Sequence, residues 1–333
     1  MFSGNRGKRF LPVRLMVGTA VAFVATCYYG LAATSTHVSC VPTYRFYWTT
    51  PHGDTIVTRR LTRKQTLAGR FVRRAVSLET SFKEQDVDFL LVHEARHGEW
   101  AFEEWTIPMT RRGHTVHSLS LPAMGDDVSV DVAAVDAAAA AACKRPDAGR
   151  HLVVLGHGIG ALVLSVWLAN AYGGACGHRH TPAASAAVLV APPMAKPGEI
   201  RRMLMAVAAA ATDASLCSRI LFSPGADKDD AEKCSRMLRQ EGLPLPPICL
   251  GDEQISGYGT HAAGIAMKHR ILVLGGDEDA LVPPAVLEEV SDSFYAGDPI
   301  LIEGAGHALM LDRRWRDEAV GAVLDWTRLL FRC

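Results

Sequence analysis

The stretch His151-Leu-Val-Val-Leu-Gly-His-Gly-Ile-Gly-Ala-Leu-Val-Leu-Ser165 decides the fold. It opens on an aliphatic run without polar alternation, the pattern of a strand buried on both faces. Gly156, Gly158 and Gly160, at alternate positions, then permit a sharp turn with backbone lying close to backbone. An apolar segment from Ile159 to Ala171 follows and reads as a covered helix. Strand, tight turn and helix in that order point to a parallel sheet whose strand ends carry the site.

The same grammar extends to both sides. Apolar strands are expected over 88–94 (DFLLVHE), 113–121, 186–193, 270–276 and 298–306. Helical stretches separate them over 129–142, 159–171, 284–294 and 316–330, and a Trp-rich helical segment, EWAFEEW, lies between the first two. Upstream, 44–49 and 55–60 read as a hairpin around the turn chemistry of Pro51-His-Gly-Asp54. The alternation breaks from about 195 to 266, a helical, Met- and Ala-rich insertion with Cys217, Cys234, Cys249 and a Pro-Leu-Pro-Pro run. An insertion between strands near their C-terminal ends commonly forms a lid.

Catalytic groups in such sheets follow the strands, so the residues after each strand matter most. Gly156-His-Gly-Ile-Gly160 follows one, Asp277-Glu-Asp279-Ala-Leu-Val-Pro-Pro284 another, His307 a third, and His93-Glu94-Ala-Arg-His-Gly-Glu-Trp100 a fourth. On these motifs the chain resembles the α/β-hydrolase superfamily over roughly residues 44–332, in its branch of small esterases and lysophospholipases. The resemblance implies an α/β-hydrolase fold, a mostly parallel sheet with helices on both faces and a helical lid. It also implies that Gly156–Gly160 is the nucleophile elbow, Asp279 the triad acid, His307 the base, and the loop from His93 the oxyanion loop, with the Ala95 and Ile159 amides as donors.

Two departures fall on the chemistry itself. Gly158 stands where the family carries its serine, so no side chain there can attack a carbonyl. Glu94 replaces the glycine of the family's His-Gly, and a carboxylate there is expected to repel a developing oxyanion. Gly158 is expected to leave extra room, for a water or a ligand atom. Ser165 lies too far along the helix to substitute. His157, the variable residue of the elbow, is expected to point away from the site, while His93 orders its loop and His97 and His114 are surface or packing residues. No metal-ligand spacing is present, and neither metal nor cofactor is expected. Gly156, Gly158 and Ala161 also satisfy a dinucleotide fingerprint, but 176–192 hold no Asp or Glu to bind a ribose.

Composition narrows the function classes. Lys+Arg and Asp+Glu are equal at 35 each, without the basic excess of a nucleic-acid binder. The charge is unevenly spread: residues 1–53 hold no acid, and four cations precede the 19-residue apolar run Leu15–Ala33. Residues 1–37 therefore read as a signal-anchor segment, with the body from 38 to 333 facing the lumen or exterior. A cleaved signal peptide and an organelle presequence are the alternatives, giving a secreted or organellar protein. The lid's composition suggests a small apolar or acyl ligand. Three functions remain open: a membrane-tethered, non-hydrolytic binding protein, an ester hydrolase using water and the His307–Asp279 dyad, or lyase-like chemistry with Glu94 as a second acid or base.

Overall fold

A computed structural model describes residues 44–49, 55–61, 87–121, 128–144, 151–173, 184–194, 196–241 and 260–331. The apolar run Leu15–Ala33, the hairpin turn, most of the basic stretch after it, and Cys249 lie outside the described residues. No helix among the described residues is long and apolar enough to cross a membrane.

In chain order the strands are β1 (Tyr44–Thr49), β2 (Thr55–Leu61), β3 (Val87–Val92), β4 (Thr115–Ser120), β5 (His151–His157), β6 (Ala186–Val190), β7 (Ile271–Gly276) and β8 (Ile300–Ile302). They form one sheet in the order β1-β2-β4-β3-β5-β6-β7-β8. β2 runs antiparallel to both β1 and β4, and every pairing from β4 to β8 is parallel. The helices are α1 (Glu103–Arg111), α2 (Val128–Cys143), α3 (Ile159–Gly173), α4 (Pro197–Thr212), α5 (Ala214–Leu221), α6 (Lys228–Gln240), α7 (Thr260–Ala266), α8 (Pro284–Ser293) and α9 (Arg316–Leu330). This is the expected fold: a mostly parallel sheet with helices on both faces.

Two strands are shorter than the apolar runs that announce them. β6 stops at Val190 before Pro192 and Pro193, which have no amide hydrogen for the ladder. β8 keeps three residues, because Pro299 precedes it and Gly304 takes a left-handed turn at φ 74°.

Strand alternation divides the core between the two faces. Leu90 and Val92 of β3 pack with α2, α3, α4 and α8, whereas Val87, Phe89 and Leu91 pack with α1 and α9. A third apolar cluster holds α4, α5 and α6 together through Val207, Cys217, Leu221, Phe222, Cys234 and Leu238, and it includes Ala308, beside His307. The insertion is thus seated on the loop that carries the candidate base. The Ala308 amide donates to the Leu221 carbonyl at 2.7 Å. The buried Asp312 carboxylate accepts from the Ser223 hydroxyl at 2.5 Å.

Candidate active site

The elbow is built from glycine for two separate reasons. Gly158 joins β5 to α3 in one residue at φ 53°, a left-handed conformation that costs a side-chain-bearing residue about 1–2 kcal/mol. A Cβ on Gly160 would run into the carbonyl oxygens of Val92 and His93, so α3 starts hard against the end of β3. The Gly158 amide donates to the Val190 carbonyl at 2.9 Å and closes the turn onto β6.

The side chain missing at 158 is replaced from the neighbouring strand. β3 and β5 pair in parallel with Val92 opposite Gly156, so the residues two further on, Glu94 and Gly158, meet beyond the sheet edge. A Cβ on Gly158 would lie 1.3 Å from Glu94 Oε2. Glu94 is fully buried. Its Oε1 accepts from the Ala95 amide at 2.5 Å and its Oε2 from the Ile159 amide at 3.1 Å. These are the two amides assigned to a substrate oxyanion by resemblance. In this structure both serve the protein's own carboxylate.

Two expectations are corrected here. The space at Gly158 is not free for a water, because the glutamate fills it. The two amides do not stand ready for a substrate oxygen. The Glu94 backbone supports this placement: its carbonyl accepts from the His97 amide at 3.0 Å across a turn in which Arg96 takes φ 57°.

His307 arrives on the loop after β8 and Asp279 on the loop after β7. His307 Nδ1 lies 2.8 Å from Asp279 Oδ2, and Nε2 lies 3.4 Å from Glu94 Oε2. The Asp279 carboxylate also accepts from the Leu281 and Val282 amides at 2.7 and 3.0 Å, which fixes its orientation. Burial alone would lower the His307 pKa. The charge and hydrogen bond of Asp279, with those of Glu94, overcome it and raise His307 to about 10. The imidazole therefore holds its proton at neutral pH, clamped between two carboxylates.

Around this trio lie more buried imidazoles than the sequence suggested. His157 does not turn away: its ring centroid lies 4.7 Å from that of His307, and its Nε2 is 3.1 Å from the His307 carbonyl, which accepts its proton. His97 and His114 are buried, the packing alternative of the two expected for them. Burial holds His93 and His114 down to about 4, His97 to about 3, and His157 well below the usual imidazole value. His93 orders its loop, as expected, by accepting from the Leu121 amide at 3.0 Å. Ser165 donates to the Ala161 carbonyl within its own helix. Trp105 is core, Trp100 stacks on His97, and Asp277 caps the Gly304 amide.

The chain belongs to the alpha/beta hydrolase family, whose model matches residues 89–321. A search of curated protein sequences returns no match. Among solved structures, a thermophilic esterase from Thermogutta terrifontis is similar at 14% identity and TM-score 0.57, over 86% of this chain and 99% of that one. An esterase from Exiguobacterium antarcticum is similar at 10% identity and TM-score 0.56, over 86% and 100%. A bacterial membrane phospholipase A is similar at 14% identity and TM-score 0.52, over 96% and 97%. At these identities the likeness is one of fold.

Proposed function

We propose that this chain is an α/β-hydrolase-fold protein without serine-hydrolase activity, its catalytic centre plugged by Glu94. The observation that carries the reading is the Glu94 carboxylate, which takes the space of the side chain absent at Gly158 and holds the Ala95 and Ile159 amides. A tetrahedral intermediate needs those same donors, and losing even one costs such enzymes roughly 100- to 1000-fold in rate. The His307–Asp279 dyad supports water activation poorly. A general base works best with a pKa near the working pH, and His307 at about 10 is already protonated there. A non-hydrolytic role, binding a small apolar or acyl ligand beneath the insertion, follows from this reading. Its support is the apolar composition of α4 and its neighbours. The cation-flanked Leu15–Ala33 run supports a membrane tether, with the family domain on the lumenal or outer side.

The test is ester turnover by the full chain over several acyl lengths, beside His307→Ala. The reading predicts equal, background rates for both. Turnover that disappears in His307→Ala would establish a working dyad and overturn it.

A further inference from the structure

Glu94, His157 and His307 come from three different loops, yet their ligand atoms all lie within 4.8 Å of one another, and all three side chains are buried. We propose that they form a site for a zinc-class divalent transition metal. The inference rests on the reading of Glu94 as the occupant of the former serine position.

The Glu94–His307 contact is a long hydrogen bond whose spacing also suits two ligands of one cation. His307 Nε2 and Glu94 Oε2 are 3.4 Å apart, beyond the ~2.7–3.2 Å of a good N–H···O bond. Two ligands of one tetrahedral zinc, each at about 2.0–2.1 Å, lie ~3.3 Å from each other. The largest separation in the trio then needs a closure of at most ~1.5 Å.

Each ligand also has the outer partners that metal-binding side chains use. His307 gives Nδ1 to Asp279 and so turns Nε2 toward Glu94. His157 bonds the His307 carbonyl through Nε2, and its Nδ1 has no hydrogen-bond partner among the described residues although the ring is fully buried. A buried lone pair without a donor is costly, and a metal ion satisfies it. Glu94 Oε2 uses one lone pair on the Ile159 amide and keeps the other for the His307 side.

Charge points the same way. Glu94 and Asp279 bring two formal negative charges into the interior, and neither pairs with a Lys or Arg among the described residues. The His307 imidazolium offsets one of them, and a divalent ion that displaces its Nε2 proton balances both. Two imidazoles and one carboxylate select zinc, cobalt, nickel or copper over calcium and magnesium, which require six or more oxygens. Of the His93-Glu-Ala-Arg-His97 run only Glu94 belongs to the ligand set. The run lies on a loop, and both His93 nitrogens are already engaged, with the Leu121 amide and the Glu94 carbonyl.

The test is metal content of the full chain produced with added zinc and dialysed against a weak chelator, followed by titration with Co²⁺. The proposal predicts about one metal per chain and visible d–d bands of a nitrogen–oxygen tetrahedral site, without a thiolate charge-transfer band from Cys217 or Cys234. Glu94→Gln and His157→Asn should each weaken binding at least ~10-fold. Asp229→Asn, on the exposed start of α6, should leave it unchanged. Metal retained at full affinity in His157→Asn, or no Co²⁺ bands in the parent chain, would overturn the proposal. The parent's Co²⁺ spectrum decides the matter even if a ligand variant fails to fold. A metal-free parent that also lacks ester turnover would refute the metal site and leave the plugged-centre reading standing.

Discussion

Glu94 and Gly158 are best understood as one exchange. The elbow needs a left-handed residue at 158, and a glycine meets that need at least cost. With no side chain at 158, the turn leaves a space toward which the Ala95 and Ile159 amides point. Glutamate is long enough to reach from the end of β3 and presents two acceptor oxygens for two donors. Restoring serine at 158 alone therefore puts a Cβ inside the carboxylate. Gly158→Ser is expected to lose at least ~2 kcal/mol of stability, the sum of backbone strain and a displaced buried charge, read as a lower midpoint in urea unfolding. Glu94→Gly in the same chain should recover the part due to the displaced carboxylate and leave the backbone strain. This pairing was nearly legible in the sequence. A glycine where a serine belongs and a carboxylate where a glycine belongs are complementary changes. What the sequence did not supply was the β3–β5 register that brings them together.

At the scale of elements, the strands were read well because they are continuous apolar runs, a signal that survives without tertiary information. The turning point of β5 was read from its glycines. His157 was misread, because the direction of a side chain behind the elbow depends on the loop after β8, which approaches from 150 positions further along the chain. The seat of the insertion was equally hidden. It is fastened by Asp312, which accepts from the Ser223 hydroxyl, from the Ser223 amide at 3.3 Å and, through Oδ1, from the Arg314 amide at 3.0 Å. Asp312 and Ser223 are both buried. Asp312→Ala leaves these donors unsatisfied and is expected to cost about 1–3 kcal/mol per orphaned group, loosening α5 and the His307 loop together. Hydrogen exchange at the Ala308 amide, bonded to the Leu221 carbonyl, should speed up in that variant. Unchanged exchange there would mean that the apolar cluster alone holds the insertion.

For the whole molecule, the buried histidines set a pH window. His93, His97, His114 and His157 have folded-state values below the unfolded value of 6.5. The unfolded chain thus binds more protons between about pH 6.5 and 4, and stability falls as the pH drops through that range, by up to ~1.4 kcal/mol per unit for each histidine. His307 behaves in the opposite sense. Its value is raised to about 10, so its contribution is complete below 6.5 and disappears as the pH rises through 10. Urea midpoints should form a plateau near pH 7 that falls on both sides, with the alkaline fall absent in His307→Ala. A flat profile from pH 4 to 6.5 would contradict the buried, neutral state of the other four. The family match and the sheet order place this chain among the α/β-hydrolases; replacement of a nucleophile by the Glu94 carboxylate is the reading proposed for its centre.

The most direct test of that replacement is labelling by a serine-reactive fluorophosphonate of four proteins: the parent, Gly158→Ser, Glu94→Gly, and the two substitutions together. The account predicts labelling of the double variant only, because only there is a serine present at 158 with the Ala95 and Ile159 amides free and His307 released from Glu94. Labelling of Gly158→Ser at the same rate as the double variant would contradict it, since Glu94 would then not occupy the catalytic centre.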